Sequence, residues 1–458
     1  MASKTDMDMT CGNPMSIILK FTWPLMLGNI IQQLYNIVDT IIVGRFVGEN
    51  ALAAVGSTGT VMFLFFGIAN GMVTGFTVLT SQRYGAKDED GVKQTVTNGA
   101  YLCILVALIQ VTLSVVFMKD LLTLMNTPQE IFDDAYAYIS TICMGMIATI
   151  FYNYSASLMR AIGNSKIPLF LLMIAAGLNV ILDLVFIIVF GLGTFGAAFA
   201  TVLSQTVSAV LAIIYIAAKV PVLKPQARHW KIHGRTAGRQ IVLGLPMALQ
   251  YGITASGTVI MQSAINRFGA VAVTAVTATN KFQGLITMGI FSVGQTMPAY
   301  VGQNTGARKM SRIREGIIAA MKLYAVYCAV AAVLSITLTP FVMRIFFAPG
   351  VDISIYIPYA MIYVVECVIC YFPLALIFIF RNSMQGAGYA FTAMILGISE
   401  FIARLICSFL SMYLSNYYLA VGADPIAWVT AGIFGMFLAS IVFGKLKKKW
   451  ASETIHAV

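Results

Sequence analysis

Charge is what this chain has least of. Only 10% of its 458 residues are Asp, Glu, Lys or Arg, against 59% hydrophobic, and no soluble core of that length could hide so much apolar surface. Histidine is nearly absent. The three present, His229, His233 and His456, fall outside the apolar stretches, and neither H-E-x-x-H, G-x-S-x-G nor paired aspartates on Gly-rich motifs occur, so no enzyme signature of those kinds is available. There is no P-loop carrying Lys and Ser or Thr, so ATP is not expected to drive the chain, and no cofactor is expected. The N-terminal "MASKTDMDMTCGNPMS" lacks a basic region leading into a short apolar core and a cleavage site, so the first apolar run is expected to direct insertion itself. Of the seven cysteines all but Cys11 lie in apolar runs. The "CVIC" at Cys367–Cys370 has no βα turn beside it, and buried small residues are the better reading.

Long apolar runs are what the sequence has instead. Twelve recur along the chain, the first over residues 17–43 and the last over 425–444, each long enough for a helix to cross about 30 Å of hydrocarbon. The expected class is an all-α membrane protein of twelve transmembrane helices. The net charge of +11 is concentrated in alternate loops: 21 of the 29 Lys and Arg lie at the N-terminus, in the even-numbered loops and in the "KLKKKW" tail, whereas Arg45, Lys119, Arg267 and Arg344 lie opposite. That distribution argues against a nucleic-acid partner. By the positive-inside rule it puts both termini in the cytoplasm, in a multi-pass protein of the cell membrane whose first partner is the lipid bilayer. Lys20 and Lys322 sit near cytoplasmic ends of spans and can snorkel.

The two halves repeat one pattern. "KFTWPLML" resembles "VLGLPMAL", and "IVGRFVGENALAAV" resembles "AINRFGAVAVTAV". Pro246 follows Pro24 and Arg267 follows Arg45 by the same 222 positions, and Gly306 follows Gly85 by 221. Six spans per half put matching landmarks on one side of the membrane, so the halves are expected to be related by a pseudo-two-fold along the membrane normal. The division reads as an N-lobe over residues 1–218, a basic cytoplasmic linker over 219–240 and a C-lobe over 241–458, read as a monomer. Such a two-lobed chain fits a transporter whose central cleft opens alternately to either side.

Four acids fall inside the expected spans: Asp39, Asp183, Glu366 and Glu400. Each costs about 3 kcal/mol at the bilayer centre unless it has a cavity, a partner or a proton. Glu400 and Arg404 can pair along one helix face at i,i+4. Lys281 of the eighth span is assigned to Glu366 of the tenth, which makes Lys281, Glu366, Glu400 and Arg404 the candidate intramembrane charge network. No basic residue stands at helical spacing from Asp39 or Asp183, so these two need another cation. At 1.5 Å per residue Asp183 and Thr201 flank the "GLGTFG" turn at a similar depth of roughly 12–15 Å, with Asn179 one turn below Asp183 on the same face. Oxygen-bearing side chains so gathered suit a hard cation, and two close carboxylates cannot both stay ionised without a cation or a shared proton. Na⁺ or H⁺ is therefore the expected coupling ion. The G-x-G-x-x-G match at Gly191, Gly193 and Gly196 has no strand before it and is read as close helix packing rather than a dinucleotide site.

At these residues the chain resembles the multidrug and toxic compound extrusion (MATE) family, bacterial type. The resemblance rests on Pro24, "VDTIIVG", "RAIGNSKIP", "LNVILDLVFI" and "GAAFATVLSQ", and it covers essentially the whole chain. It implies a cation site at Asp39, Asn179, Asp183 and Thr201, with Ala197 offering a backbone carbonyl. It also implies exchange of small amphipathic, often cationic, compounds for Na⁺ or H⁺. Met residues and aromatics would line an adaptable cleft, for which Gln33, Asn36, Met261 and Met288 are the assigned positions. The second half departs from the pattern: Met261 takes the place of Asp39, Arg404 that of Asn179 and Ser408 that of Asp183. A lipid-linked precursor flippase of the wider superfamily is the alternative, because Lys281 and Arg404 could serve a cationic cleft.

Overall fold

The computed structural model describes residues 7–347 and 351–455; Lys4 and His456 lie outside them. In chain order the helices are α1 (Pro14–Phe46), α2 (Glu49–Ser57), α3 (Gly59–Gly85), α4 (Glu89–Leu124), α5 (Gln129–Met144), α6 (Met146–Ala161), α7 (Lys166–Leu184) and α8 (Gly193–Lys219). Then follow α9 (Gly234–Asn266), α10 (Gly269–Gly306), α11 (Met310–Phe346), α12 (Ile357–Ile369), α13 (Tyr371–Gly386), α14 (Ala390–Leu414), α15 (Tyr417–Val421) and α16 (Ala423–Ile455). No strand occurs among the described residues. In hydrocarbon only helices or closed barrels satisfy their own backbone groups, which is why an apolar chain of this composition is all helix.

Eight single helices are long and apolar enough to cross a membrane, and the bent pairs α5–α6 and α12–α13 add two more. The remaining two expected spans are α9 and α10. They have length to spare, at 33 and 38 residues, but polar side chains such as Gln250, Gln262, Asn280 and Gln283 lower their hydropathy. Outward faces carry bare aliphatic side chains, as at Leu108, Val115 and Val116 of α4. The protein is an all-α membrane protein.

The repeat is visible in the backbone of each half. The first bent pair turns by 47° at Gly145 and the second by 48° at Cys370, 225 positions on. Lys87 and Arg308, 221 apart, both adopt the left-handed conformation, with φ of 58° and 57°, each ending a long helix before the next begins. L-residues other than Gly, Asn and Asp seldom take that conformation, so its recurrence at the matched position reflects a shared loop geometry.

Packing divides the chain into two compact units. The first holds residues 7–9 and Trp23–Ala248; the second holds Thr10–Thr22, residues 249–347 and residues 351–455. This differs from the division in chain order at two places, and local contacts explain both. In the first unit Gly75 of α3 lies so near α9 that an added Cβ would stand 2.3 Å from the Gly244 Cα. In the second unit Thr22 shares a 2.8 Å hydroxyl hydrogen bond with Thr296, while Lys309 and Arg312 donate to the carbonyls of Thr10 and Gly12 at 3.0 and 2.9 Å.

The basic stretch 219–240 is bound rather than loose. Arg228 and His229 both reach Asp90 near the start of α4, at 2.7 and 3.0 Å. Thr97 donates to the His229 carbonyl at 2.7 Å, Tyr101 to that of Trp230 at 3.0 Å, and Asn98 accepts from the His233 N–H at 2.9 Å. His229 is buried, and its hydrogen bond is the leading reason the Asp90 carboxyl is held below the ordinary carboxylate range, with the Arg228 charge adding to it.

Candidate cation site

The site in the first unit starts with α7. Asn179 and Asp183 sit at i,i+4 on one face of it, 1% and 0% exposed. Immediately after Asp183 the helix widens into a π-helical turn over Val185–Val189, a feature that often marks functional positions because it re-aims the side chains beside it. The "GLGTFG" turn then reverses the chain. Gly191 and Gly193 have φ of 66° and 56°, so two of its glycines are there for left-handed backbone, not packing. Gly196 alone fits the packing expectation, since an added Cβ would stand 3.0 Å from the Leu192 Cβ.

The returning helix α8 brings Thr201 opposite Asn179. Asn179 Nδ2 donates to Thr201 Oγ1 at 3.3 Å, and Thr201 Oγ1 donates to the Ala197 carbonyl at 3.1 Å. From α1, Asp39 is 7% exposed and its carboxyl is hydrogen-bonded to that of Asp183. Tyr35, one turn earlier on α1, is hydrogen-bonded to Thr201 through its hydroxyl. Tyr138 of α5 is 4% exposed and lies close enough to sense both acids electrostatically. Apolar side chains close the surroundings, among them Ile42, Val43, Ile142 and Ile187.

Chemically this arrangement has one strong property. An ionised carboxylate only accepts hydrogen bonds, so two carboxyl groups bonded to each other share a proton. Burial among apolar side chains opposes ionising both. Asp39 Oδ1 is meanwhile a buried oxygen with no hydrogen-bond partner among the described residues. A monovalent cation replacing that proton would meet oxygen ligands only: two carboxylates, the Asn179 and Thr201 side chains and the Ala197 carbonyl. All five residues expected from the sequence stand on the three helices that meet here. Tyr35 and Tyr138 were not expected; in an apolar run an aromatic reads as filler, although the i,i+4 spacing of Tyr35 to Asp39 was a usable signal.

The second unit holds a different polar cluster. Arg404 of α14 donates to Glu400 at 2.6 Å and also to Asp424 of α16, and Arg381 of α13 reaches Glu400 at 3.8 Å. Glu400, Arg404 and Asp424 are all buried. Lys281 and Glu366 are not a pair: no ion pair joins them among the described residues, and Lys281 is exposed. The reason is orientation. Glu366 turns toward the start of α16, where a Cβ on Gly422 would stand 2.9 Å from its Oε2, and that oxygen is buried without a hydrogen-bond partner. Gln33 and Asn36 are exposed on α1, Met288 is half-buried on α10, and Met261 is packed inside the second unit at 5% exposure.

The same two-part organisation appears when the chain is compared with known families. The MatE family model matches it twice, over residues 24–185 and 246–410. The chain belongs to the MatE family. Each match covers one copy of the repeat, and the first contains Asp39, Asn179 and Asp183. Among curated MatE relatives, "Probable multidrug resistance protein YpnP" of Bacillus subtilis (strain 168) is 28% identical over 67% of this chain and 68% of its own length. "Probable multidrug resistance protein YoeA" of the same organism is 27% identical over 65% and 66%, so the matches span about two thirds of these relatives. "Multidrug export protein MepA" of Staphylococcus aureus (strain MRSA252) is 22% identical over 69% and 70%. Among solved structures, a MOP superfamily transporter from Pyrococcus furiosus, described as having a binding pocket of reverse polarity that suggests a different function, gives a TM-score of 0.90 at 20% identity. An outward-facing multidrug resistance MATE family transporter gives 0.89 at 20% identity. Both cover 98% of this chain and 100% of the other, and at that identity they speak to the fold alone.

Proposed function

We infer that this chain is a secondary antiporter that exports small amphipathic, often cationic, organic compounds in exchange for Na⁺ or H⁺. The observation that carries the reading is the buried Asp39–Asp183 carboxyl pair, walled by apolar side chains and ringed by neutral oxygen ligands. Such a pair holds a positive ion tightly when closed and releases it when the surroundings change, which is what coupling requires. The multidrug names of the curated relatives support the substrate class. The compartment is the cell membrane with both termini in the cytoplasm, supported by the loop charges.

Energetics follow from the charges. Exchange of one monovalent organic cation outward for one Na⁺ or H⁺ inward moves no net charge. The driving force is then the ion gradient, about 1.4 kcal/mol per tenfold ratio. A second inward ion would add roughly 2.3 kcal/mol per 100 mV of membrane potential. The flippase reading needs free positive charge in the cleft for a pyrophosphate. Of the two cations that could serve it, Arg404 is engaged by Glu400 and Asp424, which leaves the exposed Lys281 alone to carry that reading.

The test is transport in reconstituted vesicles loaded with a fluorescent monovalent organic cation, with Na⁺ and pH gradients imposed separately. Export under one gradient, abolished in Asp39→Asn and in Asp183→Asn, is the expected result. Gradient-independent export, or wild-type export by both variants, overturns the reading.

A further inference from the structure

Repeat register sets the two polar clusters side by side in sequence terms. A shift of 222 positions carries Tyr35 and Asp39 of α1 onto Gly257 and Met261 of α9, and a shift of 225 carries Asn179 and Asp183 of α7 onto Arg404 and Ser408 of α14. None of the positions so matched carries a carboxylate: Met261 is buried and apolar, Ser408 keeps only a buried hydroxyl, and Gly257 has no side chain. What replaces them is a guanidinium. An added Cβ on Gly257 would stand 3.1 Å from Arg404 Cδ and 3.3 Å from its Nη1, so the space beside α9 at the counterpart of Tyr35 is taken by Arg404.

The charge balance points the same way. Arg404 is held from two sides, by Glu400 of its own helix and Asp424 of α16, and Arg381 stands beyond Glu400 at 3.8 Å. Two guanidinium groups and two carboxylates sum to zero within this cluster. In the first unit the two carboxyls have no basic side chain in ion-pair contact among the described residues, and neutrality there requires an ion from outside the chain. Arginine cannot give up its proton in a protein, so a positive charge of this kind neither dissociates nor titrates.

We propose that Arg404 is a tethered cation: its guanidinium takes, in the second half of the chain, the part that a mobile coupling ion takes in the first, so that one exchangeable cation serves the whole chain. This rests on the first-unit site being the coupling site. It also explains the acids. Glu400 and Asp424 neutralise the fixed charge and have no oxygen site of their own to offer a second ion while Arg404 is present. A purely structural ion pair would share the contacts but would not need Gly257, nor the Asn179 position in the repeat.

The experiment counts exchangeable cations on the purified full-length chain in lipid nanodiscs, by radioactive Na⁺ binding and by proton release in weak buffer. One cation per chain is expected for wild type, for Glu400→Gln and for Arg404→Lys, and none for Asp183→Asn. Arg404→Asn, which restores the residue found at position 179, should gain a second saturable cation, and the added change Glu400→Gln should remove it again. A Glu400→Gln protein that binds one cation fewer than wild type overturns the proposal, as does folded Arg404→Asn with an unchanged count. Recovery of folded Arg404→Asn only at high Na⁺ supports it; failure to fold in any salt leaves Glu400→Gln to decide. An Asp183→Asn protein that keeps the wild-type count sinks the first-unit site instead, so the two failures read differently.

Discussion

Replacing Asp183 by Asn removes one negative charge from the first-unit site and almost nothing else. The new amide can donate to Asp39 in place of the shared proton, so the α1–α7 contact survives and the protein is expected to fold. Cation affinity should not survive. A carboxylate about 4 Å from a monovalent ion, at the effective permittivity near 20 that suits partly buried sites, contributes about 4 kcal/mol. At 1.4 kcal/mol per decade that is about a thousandfold in Kd. Part of the loss is offset, because the ion-free variant is spared the repulsion between two carboxylates, and the net effect should fall between about a hundredfold and about a thousandfold. Equilibrium Na⁺ or H⁺ titration of the purified protein, followed by fluorescence of its tryptophans, measures the affinity, and vesicle transport measures the coupling. The variant should lose gradient-driven export, and its unfolding temperature should stay level or rise in Na⁺-free alkaline buffer. Saturation at the wild-type ion concentration would show that Asp183 does not ligate the ion.

Three further outcomes test the surrounding structure. Thr201→Val keeps the shape of the side chain but removes the hydroxyl that Asn179 and Tyr35 engage; one lost hydrogen bond of about 1.4 kcal/mol should weaken cation binding about tenfold in the same titration. Gly75→Val must push α3 and α9 apart, because its Cβ would meet the Gly244 Cα at 2.3 Å, and should lower the unfolding temperature by several degrees, whereas Gly177→Ala, with nothing within 4 Å, should not. Asp90 has its carboxyl lowered first by the His229 hydrogen bond, so its clamp on residues 226–230 is present above the ordinary carboxylate range and is lost as pH falls below it. Hydrogen-exchange protection of that stretch, taken relative to the intrinsic amide rate at each pH, should therefore be high at pH 7, low in acid, and already low at pH 7 in Asp90→Asn.

Much of the site was legible because membrane chemistry makes polar residues conspicuous. Asp39, Asn179, Asp183 and Thr201 stand out against apolar neighbours, and helical rise alone puts Asp183 and Thr201 at one depth. Glu400 and Arg404 were likewise readable from i,i+4 spacing, which needs no tertiary information. Partners across helices were not. Lys281 and Glu366 share a suitable charge relation, yet the rotation of α12 turns Glu366 toward Gly422, and rotation of a helix that is apolar all round leaves no trace in its hydropathy. Asp424 was missed by one residue: the apolar run starts at Pro425, while α16 starts at Ala423. Its short-range partner Arg404 lies 20 positions earlier, beyond any local pattern. The clamp of Arg228 and His229 on Asp90 escaped for the same reason, since basic linker residues look solvated in sequence.

The short helix α15 separates the fates of the two clusters. α14 begins 224 positions after α7, but α16 begins 230 after α8, and the six added positions accommodate α15, whose Ala420 and Val421 are fully buried. Where the first half turns back through residues 190–192 alone, the second inserts a whole helical turn. A diffusing ion must be able to reach and leave its berth, and the short glycine turn puts no extra helix in its way. A positive charge fixed to the backbone has no journey to make, and the end of its compartment can be bricked up for good.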